Sequence, residues 1–207
     1  MKSRWVVGGG AHLEHAFSAW KQARPEENVI KVEVPQREDY SFDLTVLDRI
    51  SEAGGSMFVA FDERFGNFKR MELMQAALER GFKPESFISP SAVVAKDVAV
   101  GLNVFIGAGV IIGAGSRVDY NCVLQAGAKT GNDVHLKSSC WLDIGVTVGH
   151  GAEIGAHGIL RIGAIVASRV KIGRYCELGW PRVYDKDIPA RTVFDTRYEE
   201  PICVYGE

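Results

Sequence analysis

Five histidines, four cysteines and one glycine turn are the groups in this 207-residue chain whose chemistry can exceed packing. His12, His15, His135, His150 and His157 carry the side chain that titrates near neutral pH and is suited to relieve a nucleophile of its proton. The cysteines include no C-x-x-C pair, which fits a reducing compartment better than a disulfide framework or a zinc site. Cys122, Cys140 and Cys176 are spaced by multiples of 18. Such a column could hold a metal, or could be small buried apolar side chains. Gly8-Gly9-Gly10-Ala11-His12 follows the apolar run Trp5-Val6-Val7. A turn of this kind can offer backbone N–H groups to a phosphate at a helix start. It can equally be a plain tight turn, because a full G-x-G-x-x-G is absent.

The elements that must position these groups show in a period of six. Reading every sixth residue from Ile88 to Leu178 passes sixteen positions, and fifteen are Ile, Leu or Val. The exception is Thr130. The column four residues later, including Val104, Val110, Cys122, Ala128, Cys140 and Ala164, is small or β-branched. Six residues do not keep one face of a 3.6-residue spiral inward, so the repeat is not helical. It suits a short strand and a corner, three of which close an 18-residue triangular coil. Successive coils then pair in parallel about 4.8 Å apart, and the pattern predicts a solenoid of about five coils. In such a solenoid the three spaced cysteines stack on one side. Fifteen of the 23 glycines lie between Ile88 and Val183, mostly at corners where backbone freedom is needed.

The first 87 residues read differently. Strands are predicted at Trp5–Val7, Asn28–Val34 and Met57–Phe61, and helices at Leu13–Gln22, Leu44–Glu52 and Asn67–Arg80. Alternating strands and helices point to a small parallel, Rossmann-like α/β unit. Pro84 and Pro90 mark the passage onward. The expected organisation is therefore an α/β domain over 1–87, a β-helix over 88–183 and a tail over 184–207. The net charge of −2 offers no footprint for nucleic acid. No apolar run reaches the roughly 18 residues of a membrane helix.

Val7-Gly8-Gly9-Gly10-Ala11-His12, Leu78-Glu79-Arg80-Gly81-Phe82, Ile88-Ser89-Pro90-Ser91-Ala92-Val93 and Asp185-Lys186-Asp187-Ile188-Pro189 occur in that order. With the hexads between them they resemble the sialic acid O-acetyltransferase and nucleotide-sugar N-acetyltransferase family of bacterial surface-glycan pathways, over nearly the whole chain. The resemblance implies a left-handed parallel β-helix, a first domain that binds a sugar nucleotide, and acetyl-CoA lying along the solenoid between subunits of a cytoplasmic homotrimer. It also implies direct transfer without an acyl-enzyme. Gly8, Gly10 and His12 fall at the family's sugar-nucleotide turn, and Gly151 and Gly163 on its CoA path.

The family carries its base at the third residue of a hexad, next to an acid. Gapless counting from either end puts that hexad at Thr130-Gly131-Asn132-Asp133-Val134-His135. The acid is present as Asp133, but the expected His is Asn132, which has no useful pKa. His150 lies 18 residues on, at the same corner one coil along, where the family has a Gly that offers its N–H to the thioester oxygen. Three readings follow. His150 takes over as base with Asp133 as partner or substrate anchor and Asn132 bonded to the acceptor; or His135 serves from the end of the hexad; or the chain is a non-catalytic binding or scaffold protein. His157 falls on another face, and His15 one helical turn after His12.

Overall fold

The structure is a computed structural model, described here over residues 3–51 and 55–204. Two compact units divide it, 1–87 and 88–207. In the first, β1 (Arg4–Gly8), α1 (Gly10–Ala23), β2 (Val29–Glu33), α2 (Thr45–Ser51), β3 (Ser56–Ala60), α3 (Phe68–Glu79) and β4 (Lys83–Pro84) follow in order. The strands form one parallel sheet in the order β2-β1-β3-β4. Val6 and Val7 of the central strand are both fully buried, as expected of a strand covered on its two faces. Trp5, Val7, Val59, Leu73 and Ala77 share one apolar cluster. Helix α1 begins at Gly10, three residues before the expected Leu13, because extended Gly9 serves as its N-cap. The predicted second helix holds as Thr45–Ser51, its expected last residue, Glu52, lying outside the described residues.

The second unit is a parallel β-solenoid of two-residue strands. Register runs in steps of 18: Val118 pairs with Val100 and with Leu136, and Val148 with Thr130 and Val166. Both expected columns point inward, Ile106, Ile112, Leu124 and Leu136 interleaving with Val104, Val110, Cys122 and Ala128 in one buried core, except that Ile88, the first residue of the large column, is 43% exposed. The prism reaches about six coils rather than five. Val183–Tyr184 and Thr192–Phe194, beyond the last full hexad, still pair in parallel with Ile165–Val166 and Glu177–Leu178. Segment 184–207 is therefore partly ladder, and Ile202–Cys203 closes it with an antiparallel pair.

The glycines serve two physical needs. Gly149 has ordinary backbone angles, but a side-chain carbon there would stand 2.5 Å from the Ser168 nitrogen of the next coil. Gly115 instead adopts φ +69, the left-handed conformation of the third corner residue. Asn103, Asn121, Asp133, Ser139 and His157 take that conformation without being glycine. No helix among the described residues is long and apolar enough to cross a membrane.

Candidate functional site

The corner between Lys129–Thr130 and His135–Leu136 brings together four of the residues singled out above. Its second position repeats every 18 residues as Ala114, Asn132 and His150. The ladder leaves the N–H at this position pointing along the solenoid axis without a carbonyl, so each coil must find another acceptor. Asn132 Oδ1 accepts from the Ala114 N–H at 3.1 Å. His150 Nδ1 accepts from the Asn132 N–H at 2.9 Å. Glycine makes both contacts possible. A side-chain carbon at Gly113 would stand 2.4 Å from Asn132 Oδ1, and one at Gly131 2.9 Å from the His150 ring. The series ends there, since the N–H of His150 itself has no partner among the described residues.

This geometry fixes the proton on the His150 ring. A nitrogen that accepts a hydrogen bond carries no hydrogen, so neutral His150 is protonated at Nε2. Its outward nitrogen is then a donor, and its lone pair is committed to Asn132. Asp133 is exposed, has φ 55 and places its carboxylate over Gly115. Among the described residues that carboxylate makes no hydrogen bond or ion pair, to His150 or any other group.

His135 opens the next strand, three residues after Asn132. Its Nε2 lies 3.0 Å from Asp119 Oδ2, and Asp119 Oδ1 accepts from Arg117 Nε at 2.6 Å. Burial pushes the Asp119 carboxyl up, but the hydrogen bonds and charges of Arg117 and His135 outweigh it and hold the group below the usual carboxylate range. An ionised Asp119 accepts only, so His135 Nε2 is the donor and Nδ1 keeps its lone pair. Asp119 was not among the expected site residues. Writing the sequence in rows of 18 exposes it, because it stands in the row above His135, two places along from Arg117, the register partner of His135.

The remaining candidates, Gly151 excepted, lie apart. His157 is buried at another corner and its ring stacks on Tyr175 at 5.2 Å. The cysteine column lies inside the prism, where Cys140 donates to the Gly155 carbonyl. Burial first, and the neighbouring Cys122 second, push the Cys140 thiol up, the opposite of an activated nucleophile. Gly151 donates to the Asn132 carbonyl, holding the candidate corner in register. Gly163 adopts φ +84 two corners further along the chain.

In the first unit the glycine turn closes tightly on β3. A side-chain carbon at Gly8 would lie 1.7 Å from the Ala60 carbonyl oxygen, and Gly9 donates to that oxygen. Gly10 starts α1 with the Asp62 carboxylate beside it. Asp62 in turn pairs with Arg64 Nε at 2.7 Å. This turn sits at the carboxyl ends of β1 and β3, where the chain's crossovers change direction and ligands bind open α/β sheets. His12 is not on its surface: it is 4% exposed, against Phe58. Burial, then the Arg70 charge, holds its pKa well below the ordinary histidine value.

No protein-family model matches the chain, and no curated protein matches it. Solved structures do. PerB from Caulobacter crescentus, in complex with CoA and GDP-perosamine, is 28% identical, with a TM-score of 0.81 over 92% of each chain. A His-to-Asn mutant of the perosamine N-acetyltransferase from the same organism, with the same two ligands, is 27% identical over 97% of this chain and 96% of its own, with a TM-score of 0.82. The acetyltransferase domain of PglB from Neisseria gonorrhoeae FA1090 shares the fold at 19% identity and a TM-score of 0.54, over 98% and 100%.

Proposed function

As a divergent structural relative of the hexapeptide-repeat sugar acetyltransferases, the chain is, we propose, an acetyl-CoA-dependent acetyltransferase acting on an amino or hydroxyl group of a nucleotide-linked sugar. The observation that carries this reading is the likeness to the GDP-perosamine enzyme over more than nine-tenths of both chains, first unit included. The turn at Gly8, Gly10 and Asp62 receives the nucleotide, with buried His12 in the helix that follows it. A carboxylate beside the glycine turn disfavours a phosphate there and suits hydroxyl or N–H donors of a nucleoside. The acetyl-CoA arm follows the corners of Gly151 and Gly163.

At the transfer site the partnerless N–H of His150 polarises the thioester carbonyl. A donor already aimed where negative charge develops needs no reorganisation during reaction. Asn132, whose amide nitrogen is not used in capping Ala114, bonds the acceptor sugar. Asp133, without a partner among the described residues, anchors its ammonium or hydroxyl. The product would serve surface-glycan synthesis.

The protein works as a cytoplasmic homotrimer in this reading. Val93, Ile111, Ile165 and Val183 stand on one outward column, on either side of Lys129 and Thr147, and their exposure in a single chain suits a subunit interface. Its four free thiols suit a reducing compartment. The test is a thermal-shift titration with CoA, followed by acetyl transfer from acetyl-CoA to GDP-perosamine and a panel of amino- and hydroxy-sugar nucleotides. Stabilisation by CoA with turnover of one acceptor is expected. No shift at millimolar CoA refutes the reading and leaves the non-catalytic scaffold in its place.

A further inference from the structure

The geometry points to His135, oriented by Asp119, as the general base that replaces the missing histidine at Asn132. The inference rests on the acetyltransferase reading and deepens it. Asn132 cannot take a proton. His150 stands closest along the solenoid, but its lone pair accepts from the Asn132 N–H. His157 is buried in a corner stack, and His12 is buried against Phe58. His135 alone combines the features a base requires. One nitrogen is bonded to a carboxylate that sets tautomer and orientation, and the other has no protein partner among the described residues. The side chain is 33% exposed, enough for a substrate to reach. The arrangement is that of a histidine held by an acid so that its second nitrogen keeps an available lone pair.

Other charges around the ring come from every adjoining strand. Arg117 and Asp119 lie on the preceding coil, Lys137 follows on the same one, and Glu153 and Lys171 stand on the next two. Lys137 is bound to Glu153, and Arg117 to Asp119. Each acid is thereby shared with a cation, and Asp119 is the one that also bonds the imidazole and so stabilises the imidazolium. His135 Nδ1 takes a proton from the acceptor amine as its nitrogen attacks the thioester carbon. The carbon–sulfur bond breaks, and the imidazolium returns the proton to the departing CoA sulfur. N-acetyl sugar and free CoA are the products, and His135 is neutral again.

The test compares wild type with H135Q, D119N and the control H15Q, using acetyl-CoA and the acceptor found above. H135Q should lower kcat about 100-fold or more, the usual contribution of general acid–base catalysis. It should abolish the acid limb of the pH–rate profile while leaving KM for acetyl-CoA and the CoA thermal shift unchanged. D119N should move that limb to lower pH, because it removes the charge that favours imidazolium. H15Q should behave as wild type. An H135Q enzyme with wild-type kcat and an intact acid limb overturns the proposal. A second readout does not depend on finding an acceptor: CoA and D119N should each shift the ¹⁵N resonances of the His135 ring. A ring indifferent to both overturns the assignment even where CoA binds, whereas failure of CoA to bind wild type refutes the acetyltransferase reading itself.

Discussion

Thr130 stands in the large apolar column of the solenoid, in register between Ile112 and Val148. It is 5% exposed, and its Oγ1 is buried without a hydrogen-bond partner among the described residues. Its backbone carbonyl accepts from Gly113 regardless of side chain. Thr130→Val therefore exchanges an unsatisfied hydroxyl for a methyl group of the same shape and disturbs nothing else. Burying a polar group without a partner costs about 1–3 kcal/mol, and the added methyl surface contributes in the same direction. The substitution should stabilise the solenoid by at least about 1 kcal/mol, a rise in melting temperature of about 2–4 °C for a chain of this size. Differential scanning calorimetry and urea titration measure it, the urea midpoint rising with the slope unchanged. CoA binding should be unaffected. An unchanged or lowered melting temperature refutes the reasoning, because it means that the hydroxyl is satisfied inside the prism.

Three further outcomes follow from the same geometry. Gly131→Ala places a carbon 2.8 Å from the His150 nitrogen and 2.9 Å from its ring. The ring must leave, the Asn132 N–H loses its acceptor, and stability should fall by about 1 kcal/mol, with a changed ¹⁵N signal at His150 Nδ1. His12 is held neutral by burial, so the unfolded chain binds a proton that the folded chain refuses. Stability of the first unit should decline as pH falls below the unfolded histidine value of about 6.5. His12→Phe should flatten that decline in denaturation curves taken between pH 7 and pH 5. Cys203 is exposed and the other three thiols are buried, so native protein should release one equivalent with a thiol-exchange reagent promptly and the rest only on unfolding.

The solenoid was legible because its repeat is translational. Each inward position returns to one environment, so a column such as Ile106, Leu124 and Leu142 announces itself without knowledge of the contacts. The first unit was legible in its elements, through apolar runs and helical spacing, but less so at their ends. Helix α1 starts at Gly10 because the chain must turn at once where Gly8 meets Ala60. No pattern in residues 8–13 reports that contact. The extra coil was hidden because 184–207 carries no full hexad, while backbone pairing asks nothing of side-chain type.

The candidate site divides along the same line. The sequence by itself determined which side chains occupy one corner, since an 18-residue step places Asn132 beside His150 whatever they do there. It also determined that the expected histidine is Asn132. Only the tertiary structure decided what each nitrogen is free to do. Proton affinity of an imidazole depends on which hydrogen bonds its two nitrogens make, and those partners come from neighbouring coils: the Asn132 N–H for His150, and Asp119 for His135. Spacing places a residue on a face, but direction and distance to a donor or acceptor set its chemistry.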